Sequence, residues 1–233
     1  PSLVGSEMCI RDRKMLESYG KRRITRLDVC LGSSLMVIAL VLAINIVIQS
    51  VLVAYAAILL VLGGLAYCTE RCEAEKDSLR GLWVLGLLSV VFYPLIDSLF
   101  AAKLGLVTYL TDDPRLIATP VYVPLYWVLG VLLFGYVYYR VQGLTGRVWM
   151  GALATGLFSA ASATFVENLF NAAAFYHNTP SDLMIGHIPL YVPLGYVVAF
   201  SFIPFYIRYK YICGFLLYGL VGIWWYLFSL IVP

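Results

Sequence analysis

The chain has 233 residues, is 62% hydrophobic and 12% charged, and carries a formal net charge of +3, with a mean hydropathy of +0.88. A soluble core of this size needs far less apolar surface, which excludes a soluble globular domain and points to a polytopic membrane protein. The small positive charge reflects loop composition and gives no ground for nucleic-acid binding.

In chain order, residues 1–13 (PSLVGSEMCIRDR) read as translated sequencing-adapter sequence fused ahead of a start at Met15, a non-native tail to be left out of fold reasoning. Residues 14–30 form a basic cytoplasmic segment with Lys14, Lys21, Arg22, Arg23 and Arg26. It leads straight into a full-length apolar run, so no cleavable signal peptide is expected. Residues 31–233 are expected to be a single transmembrane domain. Apolar runs of spanning length fall at about 31–49, 51–68, 82–101, 118–139, 148–172, 187–207 and 211–231. These predict an all-α bundle of seven helices, the first two joined by a tight turn near Gln49-Ser50. The runs are too long for barrel strands and lack their alternation.

Lys and Arg in the loops set the orientation. The segment before helix one, with Arg71, Lys76, Arg80, Arg140, Arg147, Arg208 and Lys210, forms a basic side; Lys103 and Arg115 alone fall on the other. This predicts the N-terminus inside and the C-terminus outside, in a multi-pass protein of the plasma (inner) membrane. Cys68 and Cys72, one turn apart at the inner end of helix two, read as reduced structural thiols.

An internal repeat is the feature with most functional content. Residues 94–102 (PLIDSLFAA) align with 164–172 (TFVENLFNA), and residues 120–125 (PVYVPL) with 189–194 (PLYVPL), 70 and 69 residues apart. The unit is two helices, three and four repeated as five and six, and each copy carries one carboxylate, Asp97 or Glu167. Ionisable groups in hydrocarbon are costly and mark function. Asp97 lies about five residues, or roughly 8 Å, short of the end of its helix. Helix direction puts Glu167, Asn168, Asn171, Tyr122, Tyr126, His187, Tyr191 and Tyr196 in the same outer layer, with His177, Asn178 and Asp182 in the loop beyond. Asn171 stands four residues after Glu167 and is placed to hydrogen-bond it. Small residues along helix five (Gly151, Ala154, Gly156, Ser159, Ala160, Ala163) predict a central helix. Pro94, Pro124 and Pro193 are expected to kink helices three, four and six beside the site. No spacing motif for a metal is present, and no cofactor is expected.

The stretch Pro94-Leu95-Ile96-Asp97-Ser98-Leu99-Phe100 resembles the P-L-E-E-x-L-F pattern of the membrane lycopene cyclase domain family, with Ile96 and Val166 standing where that pattern has its first acid. Tyr176-His177-Asn178-Thr179 and Gly186-His187-Ile188-Pro189-Leu190-Tyr191-Val192-Pro193-Leu194 resemble a region of carotenoid hydratases. The resemblance implies duplicated helical units and redox-neutral chemistry on the ends of a carotenoid or other terpenoid. Such chemistry protonates a terminal double bond and needs a protonated carboxylic acid, a dry pocket with π-faces and a base. Glu167 is the expected acid and Asp97 the counter-carboxylate or base. Tyr122, Tyr126, Tyr191 and Tyr196 are expected to line the pocket, with Asn168 beside them and Asn171 and His187 orienting the acids. The partner is then a lipid-soluble small molecule within the membrane, with homo-oligomerisation left open. The alternatives are a proton-coupled small-molecule transporter and a structural membrane subunit. A retinal-binding receptor is disfavoured, because Tyr211 to Pro233 contains no lysine for a Schiff base.

Overall fold

A computed structural model describes residues 24–48, 50–72, 76–109, 113–171, 175–177 and 183–231. The tail over 1–13, most of the basic segment, Asn178 and Asp182 lie outside the described residues. Among those described, the chain is mostly helical: α1 (Arg26–Ile48), α2 (Val51–Arg71), α3 (Lys76–Ser98), α4 (Tyr122–Thr145), α5 (Val148–Asn171), α6 (Tyr191–Ser201), α7 (Ile203–Arg208) and α8 (Lys210–Ile231). Three helical stretches among the described residues, Lys76–Lys103, Tyr122–Thr145 and Val148–Asn168, are long and apolar enough to cross a membrane.

Their surfaces follow the lipid-facing pattern. Along α3, Leu87, Val91 and Leu95 recur every four residues and are exposed. The opposite face buries Leu82, Leu85, Ser89, Tyr93 and Asp97. On α5, Trp149, Leu153 and Leu157 face outward, whereas Thr155, Ser159, Ala163 and Glu167 form a buried stripe at the same four-residue spacing. Consecutive helices from α3 to α6 pack as neighbours, and α8 closes against α3 and α6. The central helix is α4, not α5 as its small residues predicted: 67% of α4's apolar window is buried against 28% of that of α5. The small residues of α5 serve one face only. A Cβ on Gly156 would lie 2.8 Å from the Val197 carbonyl oxygen, so that glycine lets α5 and α6 touch by backbone.

Helix ends follow local chemistry. Thr25 and Asp28 form a reciprocal cap on α1: the Thr25 N–H donates to Asp28 Oδ2 at 2.6 Å, and the Asp28 N–H donates to Thr25 Oγ1 at 3.1 Å. Tyr136 and Arg140 of α4 also reach this carboxylate, the guanidinium at 3.3 Å. Burial pushes the Asp28 carboxyl up, but these hydrogen bonds and the Arg140 charge outweigh it and hold the group below its ordinary value of 3.8.

Pro94 lies inside α3, which then loosens into a π-turn over Leu99–Lys103. Pro124 and Pro193 instead fall in the first turns of α4 and α6. An N–H there has no intrahelical partner to lose, so neither proline removes a helix hydrogen bond, contrary to expectation. The run over 187–207 is not one helix. It opens with a hairpin, begins its helix at Tyr191 and breaks at Phe202, where Pro204 lacks the N–H that would bond the Phe200 carbonyl. Cys30 and Cys68 are joined by a disulfide between α1 and α2, with a Cα–Cα distance of 6.8 Å. The expected reduced state of Cys68 is therefore corrected, while Cys72 is buried and takes no part in that bridge.

Among the described residues, three short antiparallel pairs connect the helices. β2 (Arg115–Leu116) pairs with β3 (Thr119–Pro120) just before α4, and β5 (Met184–Ile185) pairs with β6 (Ile188–Pro189) just before α6. β1 (Val107–Tyr109) pairs with β4 (Phe175–His177), placing Val107 opposite His177.

Candidate functional site

A cavity of about 370 Å³ lies between α1, α3, α4, α5 and α6, and both repeat carboxylates line it. Its wall is apolar and aromatic apart from those acids, Ser162 and the tyrosine hydroxyls. Tyr122, Tyr126 and Tyr196 line it with Asp97 and Glu167.

Asp97 is 1% exposed and is held by three hydroxyls. Tyr93, one helical turn earlier, donates to Oδ1 at 3.2 Å. Tyr109 of β1 and Thr119 of β3 donate to Oδ2 at 2.7 and 2.6 Å. Ser98 Oγ accepts the Ala118 N–H at 3.0 Å and lies 3.3 Å from Thr119 Oγ1. The hydroxyl proton of Thr119 goes to Asp97, so Ser98 is the donor to Thr119. The β2–β3 hairpin is thereby fastened to α3 through the carboxylate itself. Tyr109 is half-buried beside Asp97, and desolvation and that neighbouring charge raise its phenol well above the ordinary value of 10, keeping it a donor at neutral pH.

Glu167 is 8% exposed and lines the cavity together with Tyr196. The rings between the acids form a continuous group. Trp127 stacks on Tyr196 with centroids 5.4 Å apart and planes 10° apart, and lies 4.9 Å from the Tyr93 ring. Phe200 extends the stack, 5.9 Å from Trp127 and 6.0 Å from Tyr196. Tyr122 and Tyr126 meet edge to face at 6.4 Å on the other side. Stacks of this kind fix ring orientation, so the aromatic residues that line the cavity are held in place.

Asn168, His187 and Tyr191, expected in the pocket, do not line it. The Asn168 amide donates to the Thr164 and Ile185 carbonyls at 2.8 and 3.1 Å, and its Oδ1 accepts the His187 N–H at 2.7 Å. It therefore anchors the β5–β6 hairpin. Gly186 completes that anchor: its φ is +65°, and a Cβ there would come within 2.2 Å of Asn168 Oδ1. His187 is exposed in the hairpin turn, where its main chain makes the contact. Tyr191 is buried among the helices, its carbonyl accepting the Trp224 indole N–H at 2.9 Å. The Asn171 side chain lies outside the described residues, as does that of His177.

Sequence reasoning missed Tyr93, Trp127, Tyr109 and Thr119. The first two had signals, since Tyr93 stands four residues before Asp97 and Trp127 stands 69 before Tyr196, the repeat offset. Among the described residues, no three His, Cys, Asp or Glu side chains gather around one point.

No curated protein and no solved structure matches the chain. A family model described as a domain of unknown function, DUF6989, matches residues 94–233. The matched region starts at Pro94, three residues before Asp97, and takes in Glu167, both hairpins that precede α4 and α6, and α8. It covers more than half of the chain, which therefore belongs to the DUF6989 family.

Proposed function

We propose that this protein is a multi-pass enzyme of the plasma membrane that protonates a double bond of a terpenoid or carotenoid lipid, as a redox-neutral cyclase or hydratase. One observation carries the reading: Asp97 and Glu167 line a single apolar cavity walled by oriented aromatic rings. Glu167 gives its proton to the terminal alkene carbon, and the positive charge develops on the neighbouring carbon. The faces of Trp127, Tyr126 and Tyr196 and the Asp97 carboxylate stabilise that cation. After ring closure, Asp97 takes a proton from the adjacent carbon and a new double bond forms; in a hydratase, water adds instead and loses its proton to the carboxylate. The resemblance to lycopene cyclase domains and carotenoid hydratases supports the same chemistry.

The finer architecture belongs to this reading: seven spans, a tandem two-helix repeat of α3–α4 and α5–α6, and an inside N-terminus. Several pairs of contacts support the repeat. Ser98 accepts the Ala118 N–H, and Asn168, 70 residues on, accepts the His187 N–H. The hairpin turns match in their left-handed residues, Ile117 at φ 63° and Gly186 at φ 65°. β1 and β4 pair antiparallel about Val107 and His177, also 70 apart, as equivalent strands meeting at a two-fold axis would. The charge distribution supports the inside N-terminus.

The test is expression in a host that makes linear carotenoids, followed by solvent extraction, absorption spectroscopy and mass spectrometry. The wild type is expected to convert or retain a polyene that Glu167→Gln fails to convert. If Glu167→Gln and Asp97→Asn both yield the wild-type products, the mechanism is wrong.

A further inference from the structure

The charged side chains that line the cavity are both acids, Asp97 and Glu167; its other lining residues are apolar, aromatic or hydroxyl-bearing. Carboxylates and ring faces are both attractive to positive charge, and the attraction grows where water is excluded. Trp127 and Tyr196 are held parallel, so their faces are fixed before any ligand arrives. The far side of the cavity differs in character. There the wall is made by Leu35, Ile38 and Ala39 of α1 and by Phe165 and Val166 of α5, all apolar. Leu35 is 39% and Phe165 60% exposed, so this is the side on which the cavity opens to the surface of the bundle.

A ligand that suits both ends carries a compact positive head and an apolar tail. We propose that the cavity binds a lipophilic ammonium ion, its head between Asp97 and Glu167 against the aromatic rings and its alkyl chain leaving between α1 and α5. The volume of about 370 Å³ lies within the range of small-ligand pockets, roughly 300–1,000 Å³. An anionic amphiphile of the same length meets the Asp97 carboxylate and is rejected. A neutral one fits the mouth but gains nothing from the acids. This inference rests on the cavity's chemistry and not on the protonation reaction.

The experiment is equilibrium dialysis of dodecyltrimethylammonium against the full chain in nanodiscs of zwitterionic lipid, with empty nanodiscs as the baseline. Dodecanol and dodecanoate serve as neutral and anionic comparators. Saturable binding of the cation is expected at least about tenfold tighter than that of dodecanol, a difference of about 1.4 kcal/mol, with dodecanoate no better than empty discs. Glu167→Gln and Asp97→Asn should each reduce the preference. Equal affinity for dodecanol and the cation, or cation uptake no greater than that of empty discs, overturns the proposal. That comparison uses the wild-type protein, so it stands even where a variant fails to fold. Cation-selective binding without polyene conversion upholds the site, removes the catalytic reading and favours a carrier. Polyene conversion without cation selectivity does the reverse.

Discussion

Trp127 and Tyr196 stack face to face with their planes 10° apart, and they occupy equivalent places in the two sequence blocks, 69 residues apart. Each sits in the second turn of its helix, after a proline at the third position of that helix. Trp127 also contacts Tyr93, a partner of Asp97, while Tyr196 lines the cavity with Glu167. The stacked pair therefore joins the surroundings of the two acids. Trp127→Ala should destabilise the bundle by about 3–5 kcal/mol, as expected for removing a large buried ring. Trp127→Phe should recover most of that loss by keeping a stacking face. Thermal unfolding in nanodiscs checks both, and equal losses for the two variants would deny the stack its role.

Thr119 offers a more selective probe. Its hydroxyl bonds Asp97 at 2.6 Å and lies 3.3 Å from Ser98. Thr119→Val keeps the shape but removes the donor, at a cost of about 1–3 kcal/mol for the buried groups left behind. In the host assay, product formation should fall in Thr119→Val and return in Thr119→Ser. A Val variant with wild-type turnover would show that positioning of Asp97 by the hairpin is dispensable.

How far the sequence reached depended on periodicity. Asp97 and Glu167 stand in short blocks that repeat in register, and Tyr122, Tyr126 and Tyr196 follow at fixed helical distances, so their placement on one cavity was legible. Asn168 misled because adjacent helical residues point about 100° apart; beside an acid that faces the cavity, it turns to the hairpin. Tyr109 and Thr119 come from connecting segments without any repeating pattern, and nothing local announces that they fold back on Asp97. Tyr191 matches Tyr122 in sequence, yet α8 packs beside α6 and Trp224 takes its carbonyl, so equivalent positions met different neighbours. The helix start at Tyr191 was hidden because the preceding hairpin is as apolar as the helix.

Gly186 should tolerate no side chain. Its positive φ costs about 1–2 kcal/mol for an L-residue, and its Cβ would clash with the Asn168 amide. Gly186→Ala should therefore lower the unfolding temperature, and adding Asn168→Ala should relieve the clash without removing the backbone strain. The double variant is expected to be more stable than the sum of the two single losses, which a double-mutant cycle measures. Strict additivity would mean that the two positions do not meet.

Asp28 sets an acid limit on the attachment of α1. Its folded value lies below 3.8, so the stabilisation it provides is complete above that value and is lost as pH falls through the folded one. Asp28→Asn should be less stable than wild type at pH 7, and the gap should narrow as pH falls below 3.8 and close below the folded value. Paired thermal melts across pH 3–7 check this. A gap independent of pH would place the effect in the Thr25 cap alone and not in the carboxylate's charge.

The disulfide and the basic residues make opposing demands on one end of the bundle. Cys30 lies in the second turn of α1 and Cys68 in the last turn of α2, the end at which Arg26, Arg71, Lys76 and Arg80 also sit. Cations at helix ends retain that end in the cytoplasm, whereas a cytosolic thiol pool keeps cysteines reduced. Charge acts during insertion, so the expected arrangement is a cytoplasmic basic end whose Cys30–Cys68 disulfide persists against the thiol pool. A C-terminal alkaline phosphatase fusion should then be active and a C-terminal green fluorescent protein fusion dark. Thiol labelling of intact cells lysed in acid should find Cys30 and Cys68 protected until a reductant is added. An inactive phosphatase fusion would invert the orientation, and would put the mouth of the cavity nearer the inner leaflet.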